Sequence, residues 1–224
     1  TKNTYNMYCN REPRFYVSVS YNNSYFTQEQ RPFEFFNGGK DNPHTHDAPQ
    51  NGYLVRKKLS PNSNVKQGNI QYRPGILYRL GEAYLNYAEA LNESDPGNAD
   101  ILVYLNKIRE RAGVRQYTTG STDNNFIHVD LNNQDAMRKL IHAERHVELC
   151  CEGLRYDDLR RWKEAEQELN GDFYGMNFNG KDAASFYQLT PYQKRVYKKA
   201  FYWMPIHRSE MDKNSKLVQA PYWK

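Results

Sequence analysis

Apolar residues recur at spacings of three and four through Ile76, Leu80, Ala83, Tyr84, Tyr87, Ala88 and Leu91, behind Pro74. That period describes one broad apolar face of a helix. Asp95-Pro96-Gly97 interrupts it, and Ile101, Leu102, Leu105 and Ile108 predict a second helix ending at Gly113, so the two form a hairpin. A second hairpin is predicted from Asp135 to Glu152, with a stop at Gly153 and a second arm from about Tyr156 to Leu169. Elsewhere the period changes or vanishes. Phe15, Val17, Val19 and Tyr21 alternate with polar residues before Asn22-Asn23, which predicts a short strand entering a loop or hairpin. Gln28 to Gln71, residues 114–134 and the stretch from Asn170 to about Tyr187 show no sustained period and predict loops; Trp203-Met204-Pro205-Ile206 is extended and apolar. The organisation expected is a short strand and long loops over 1–73, two helical hairpins over 74–170, and a loop with an extended tail over 171–224. The class is mainly α, with a few short strands.

Composition changes this picture in one respect. The chain has 224 residues, enough for a sizeable core, and 31 Lys plus Arg against 26 Asp plus Glu, interleaved along its length, which argues against a nucleic-acid footprint. The unusual feature is 19 Tyr beside 10 Phe and 3 Trp. Tyrosine joins a flat apolar face to a hydroxyl, which suits a wet surface that stacks on sugar rings, although most of these rings are expected to line helix contacts. Cys9, Cys150 and Cys151 make neither a disulfide framework nor a zinc-ribbon spacing, and leave the redox compartment open. No apolar run approaches the length of a membrane span.

The densest chemistry lies in "ERHVELCCEGLRYDDLRRW", Glu144 to Trp162. On a helical wheel Met137, Leu140, Ile141, Val147 and Cys151 share a face, and Glu144 and Glu148 fall on it. Two carboxylates one turn apart on a burying face need partners, because burial disfavours their charge. A catalytic acid pair is one solution; pairing with Arg155, Arg160 and Arg161 from the next helix is the preferred one. Asp157 and Asp158 are expected to cap that helix, and Trp162, Leu159 and Leu169 to join a core. His142, His146 and Cys150 recur every four residues on the opposite face. Ala143 stands where a zinc-protease helix needs glutamate, and three ligands over two straight turns converge poorly, so a solvent-facing side is expected and no metal is assigned. His44-Thr45-His46-Asp47 carries little weight as a metal site. No nucleophile, base and oxyanion set is assembled, so no catalytic residue is assigned.

Five blocks, in order, carry a resemblance: "NREPRFYVSVSYN" (Asn10 to Asn22), "ILYRLGEAYLNYAEALNE" (Ile76 to Glu93), "LNKIRERAGV" (Leu105 to Val114), "AERHVELCCEGLRYDDLRRW" (Ala143 to Trp162) and "WMPIHRSEMDKNSKLVQAPYW" (Trp203 to Trp223). Together they resemble the C-terminal half of SusD/RagB-type outer-membrane lipoproteins. Leu80-Gly81-x-x-Tyr84 also has tetratricopeptide spacing, in which a small residue lets neighbouring helices approach.

The resemblance implies tetratricopeptide-like helix pairs with loops and short strands. It also implies a non-catalytic, cofactor-free protein of Bacteroidetes that captures glycans, or peptides in some branches, at the cell surface for a SusC-like TonB-dependent transporter. Residues 1–224 are then the C-terminal domain, with the lipid-anchored N-terminal half absent; Cys9 is not that anchor. The tail departs from the family pattern at Ser215 and Ala220. No family motif specifies binding residues here. From physical chemistry, sugar contacts are expected from loop aromatics and amides: Tyr25, Phe33, Phe35, Phe36, Asn37 and Tyr53 in the long loop, and Tyr174, Asn177 and Phe178 in the later one, with packing beneath the loops as the alternative for each. A peptide-binding helical scaffold is the competing function.

Overall fold

The computed structural model describes residues 4–42 and 49–223, so the His44 to Asp47 stretch lies outside the described residues. Helix α1 (Pro13–Ser18) occupies most of the segment expected to be a strand. Pro13 sits at its first turn, where a missing N–H costs nothing and the fixed φ suits a helix. Extended structure starts only at β1 (Val19–Tyr21). Two short strands, β2 (Tyr25–Phe26) and β3 (Arg31–Pro32), then pair antiparallel, and β4 (Tyr53–Val55) returns to β1 with Val19 opposite Val55 and Tyr21 opposite Tyr53.

The helical hairpins follow. α2 (Leu80–Ser94) starts six residues later than the periodicity predicts, and the segment before it leaves Ile76 and Leu77 exposed. Leu85 and Ala88 carry the buried face, with Tyr84 and Leu91 half-buried beside it and Tyr87 exposed. Gly97, at φ +89°, makes the turn into α3 (Asp100–Arg111), whose Ile101, Leu105 and Ile108 are buried as the spacing predicts. A parallel pair, β5 (Tyr117–Thr118) with β6 (Ile127–His128), lies in the polar connection. α4 (Gln134–Glu148) is capped by Asn133, whose side chain accepts from the Ala136 N–H at 3.1 Å. Its Met137 and Ile141 close a core with α2 and α3 that also takes Leu131 and Leu149.

The second arm of the second hairpin is not one helix. α5 (Arg155–Arg161) stops at Trp162, Lys163 adopts φ +63°, and α6 (Ala165–Glu168) resumes in a new direction. Leu159 and Ala165 bury against Tyr197, with Trp162 and Leu169 beside them. The later loop contains an antiparallel hairpin, β7 (Gly171–Met176) with β8 (Leu189–Arg195), flanking α7 (Ala183–Phe186), and α8 (Arg208–Lys213) precedes the tail. A third core of Phe33, Phe35, Met176 and Phe186 joins that hairpin to the first loop. The architecture is helix-dominated with short strands and no closed sheet among the described residues. No helix there is long and apolar enough to cross a membrane.

Candidate functional site

Strand periodicity at β2 sends its two side chains opposite ways. Phe26 stacks on Phe33 at 4.3 Å between ring centroids, while Tyr25 is 57% exposed. Tyr25 forms one wall of a cleft of 250 Å³ whose polar lining includes Gln28, Arg56 and Lys57. Gln28 is held by its amide donating to the Ser60 carbonyl at 3.1 Å. Val17 and Lys57 also border a neighbouring cleft of 310 Å³, walled by Ile76, Leu77 and Tyr78 and floored by Arg14, Arg79, Glu148 and Glu152. An exposed ring beside amide and guanidinium groups is what a polar ligand with apolar faces requires.

That floor is an ion-pair network. Glu144 and Glu148 are buried, and all four of their oxygens are occupied. Glu144 accepts from Arg14 at 2.7 Å on one oxygen, and from Arg109 at 2.5 Å and the Tyr117 hydroxyl at 3.2 Å on the other. Glu148 accepts from Arg79 at 2.7 Å and from Arg111 on one oxygen, and from Arg14 at 3.2 Å on the other. Arg14 also chelates Glu12, and Arg79 chelates Glu152. Burial and the Glu144 charge push the Tyr117 hydroxyl up to about 12. Burial would raise the Glu152 carboxyl, but Arg79 and Lys57 outweigh it and hold it below its usual range. Every oxygen of the two carboxylates meets a donor, four arginines and one tyrosine hydroxyl between them, which is the geometry of an ion-pair network.

The expected arginines do not reach these acids. Arg155 lies 3.5 Å from Glu168, Arg160 donates to the Tyr202 carbonyl at 2.9 Å, and Arg161 clamps Glu89 and Asp158. The turn after α4 explains the difference. Cys151 at φ +63° and Gly153 at φ +91° turn the chain between α4 and α5, and in α5 Arg161 meets Glu89 of α2, Arg160 meets the tail and Arg155 meets Glu168 of α6. Asp158 is likewise more than a cap: it is buried and accepts from Arg145 at 2.7 Å. Arg14, Arg79, Arg109, Arg111 and Arg145 escaped the sequence reading because they lie 13 to 134 positions from their acids. Gly81 serves this network too. A Cβ there would come within 2.4 Å of the Arg79 guanidinium and 3.3 Å of the Glu148 carboxylate of α4, so its small size gives room both to that side chain and to the neighbouring helix.

The other sequence-derived candidates divide. Phe35 is fully buried and Phe33 nearly so; both belong to the core beneath the loops and cannot offer a ring face to a sugar. Tyr53 is half-buried against the same core. The Asn37 amide donates to the Asn179 carbonyl and the Phe178 carbonyl accepts from Asn42, which ties the two loops together, while the Asn177 amide donates to the Ser185 carbonyl within the later loop. Phe36 lines a separate cavity of 220 Å³ with Lys181 and Tyr187. Tyr174 is exposed on β7, away from the lining of both clefts above. Among the nine, Tyr25 alone combines an exposed ring with a polar cleft.

His142 is not solvent-facing as expected. Its ring stacks on Trp162, at the end of α5, at 3.5 Å, and burial lowers its affinity for a proton. His146 is exposed. The Cys150 and Cys151 sulfurs lie 3.4 Å apart, and burial followed by the Cys151 contact pushes the Cys150 thiol up to about 11. Among the described residues no three His, Cys, Asp or Glu side chains converge as a metal site.

Known proteins resemble this chain in sequence and in fold. SusD-like protein P2 from Formosa agariphila is 34% identical over 115 residues, which is 51% of this chain and 20% of that protein. The solved protein BT4246 superposes with a TM-score of 0.78 at 29% identity over 95% of this chain and 38% of its own. A SusD-like carbohydrate-binding protein from Bacteroides fragilis has the same fold, with a TM-score of 0.71 at 24% identity over 95% of this chain and 42% of its own. The chain thus spans about a fifth of the curated relative and about two-fifths of the solved ones. The family model described as SusD family matches residues 1–223, and the chain belongs to that family.

Proposed function

We propose that this chain is the C-terminal domain of a non-catalytic, surface-exposed outer-membrane lipoprotein that binds glycans and passes them to a SusC-like TonB-dependent transporter. The lipid anchor belongs to a preceding N-terminal half. Family membership supports the class of function, and a Bacteroides fragilis protein of the same fold is itself described as carbohydrate-binding. The observation that carries the reading to particular residues is the exposed Tyr25 ring beside Gln28 and Arg56 in a cleft. A pyranose would lay its C–H face on Tyr25 and place its hydroxyls against the amide and guanidinium.

Affinity electrophoresis through gels containing plant, host and microbial polysaccharides tests this. Retardation by at least one polysaccharide, lost in Tyr25→Ala with an unchanged circular dichroism spectrum, is the expected result. Absence of retardation by every polysaccharide, together with retention on immobilised peptides, would replace glycan with peptide as the ligand class.

A further inference from the structure

Basic residues run along the whole chain, but their excess over acids arises at one end. Residues 190–224 hold eight Lys and Arg against two Asp and Glu, a net +6, whereas the preceding 189 residues hold 23 against 24, a net −1. The basic segment also contains Tyr192, Tyr197, Phe201, Tyr202, Trp203, Tyr222 and Trp223, so charge and rings arrive together.

The fold gathers part of this segment into a surface. Residues Lys199–Tyr202 form a short 3-10 turn, and the tail folds back on it. The Trp223 indole donates to the carbonyls of Ala200 at 2.9 Å and Trp203 at 3.1 Å. That closure brings the Trp203 and Tyr222 rings to 5.7 Å, and both stay exposed. Two ammonium groups lie over rings of this surface. Lys199 Nζ lies 5.0 Å from the Tyr222 ring; Lys163 Nζ, from the break between α5 and α6, lies 4.7 Å from the Tyr202 ring and 5.5 Å from Trp203. Glu166 is the acid whose charge reaches Lys199. None of these groups lines the Tyr25 cleft.

We infer that Trp203, Tyr222, Lys163 and Lys199 form a second glycan contact, separate from the Tyr25 cleft, for sugars that carry a carboxylate or sulfate. The exposed surface of these rings is apolar and available to a pyranose, and the ammonium groups lying over them meet its anionic substituent. A neutral sugar would use the rings alone and leave the ammonium groups in water. The inference rests on the glycan-binding reading above and names a substrate class for it.

The 224-residue chain is titrated by calorimetry with polygalacturonic acid and with its fully methyl-esterified form, in 50 mM and 300 mM NaCl; the two polymers share a backbone and differ in charge. Expected is tighter binding of the acid form, weakened by salt, with a loss of roughly tenfold in Lys163→Gln/Lys199→Gln, which is what two surface charge contacts contribute. Tyr222→Ala lowers affinity for the acid form similarly, whereas Tyr25→Ala leaves that difference between the polymers intact. Lys66→Gln/Lys139→Gln removes the same charge elsewhere on the surface and leaves binding unchanged. Equal affinity for the two polymers, equal loss in both lysine pairs, or no binding of the acid form would each overturn the inference. Failure of the Tyr25 reading shows separately, as neutral-glycan retention insensitive to Tyr25→Ala.

Discussion

Replacing Glu148 by glutamine keeps the shape of the side chain and removes its charge. Glu148 is 2% exposed and accepts from Arg14, Arg79 and Arg111. Arg111 is mostly exposed and can return to water, but Arg14 and Arg79 are largely covered and would face an amide that offers its own N–H groups. Arg14 keeps Glu12 and Glu144, and Arg79 keeps Glu152, so neither guanidinium is left wholly unpaired. Breaking a buried pair by removing one partner costs about 3–5 kcal/mol. At roughly 2–4 °C per kcal/mol for a domain of this size, the melting temperature falls by about 6–20 °C. Urea unfolding followed by tryptophan fluorescence measures the loss. Arg155→Ala is the contrast: its pair with Glu168 is long and partly exposed, and it should cost no more than about 0.5 kcal/mol. A loss below about 1 kcal/mol in Glu148→Gln, or an equal loss in Arg155→Ala, would refute the claim that the long-range arginines hold this acid.

Phe35→Ala empties a fully buried site and should cost about 3–5 kcal/mol, whereas Tyr25→Ala should leave the unfolding free energy within about 0.5 kcal/mol of the parent while abolishing glycan retardation. Acid should destabilise the fold. Burial opposes the charge of Glu89 and Glu152, but Arg161 with Trp162, and Arg79 with Lys57, outweigh it, so both carboxyls titrate lower in the folded chain than in the unfolded one. Their contribution is complete above the unfolded value of about 4.3 and is lost as pH falls through the folded values. Urea midpoints should therefore fall below about pH 4, less steeply in Glu152→Gln, and the rings of His142 and His146, which resist protonation, add a separate decline once pH drops below the unfolded histidine value of about 6.5.

Local rules made the hairpins legible. Ile101, Leu105 and Ile108 are buried because a 3.6-residue period leaves one face to bury, and Asp95-Pro96-Gly97 can only turn. The same wheel put Glu144 and Glu148 on a buried face of α4, which demanded partners for their charge. It could not name those partners, because Arg14 lies 130 residues from Glu144 and reaches it only in the folded chain. Nor could it foresee that Cys151 and Lys163, both at positive φ, would turn α5 and then α6 away from their expected course. The candidate site divides along the same line. That aromatic residues and amides in the long loop could meet a sugar follows from residue chemistry alone. Phe33 and Phe35 have the same side chain, and chemistry close to Tyr25, but the loops fold over them and leave Tyr25 at the cleft wall. The sequence by itself determined the helix class, the hairpins and the need to neutralise two buried acids, because these depend on neighbours within a few residues. Tertiary structure alone decided which arginine meets which acid and which ring meets water, because both depend on contacts between segments distant along the chain.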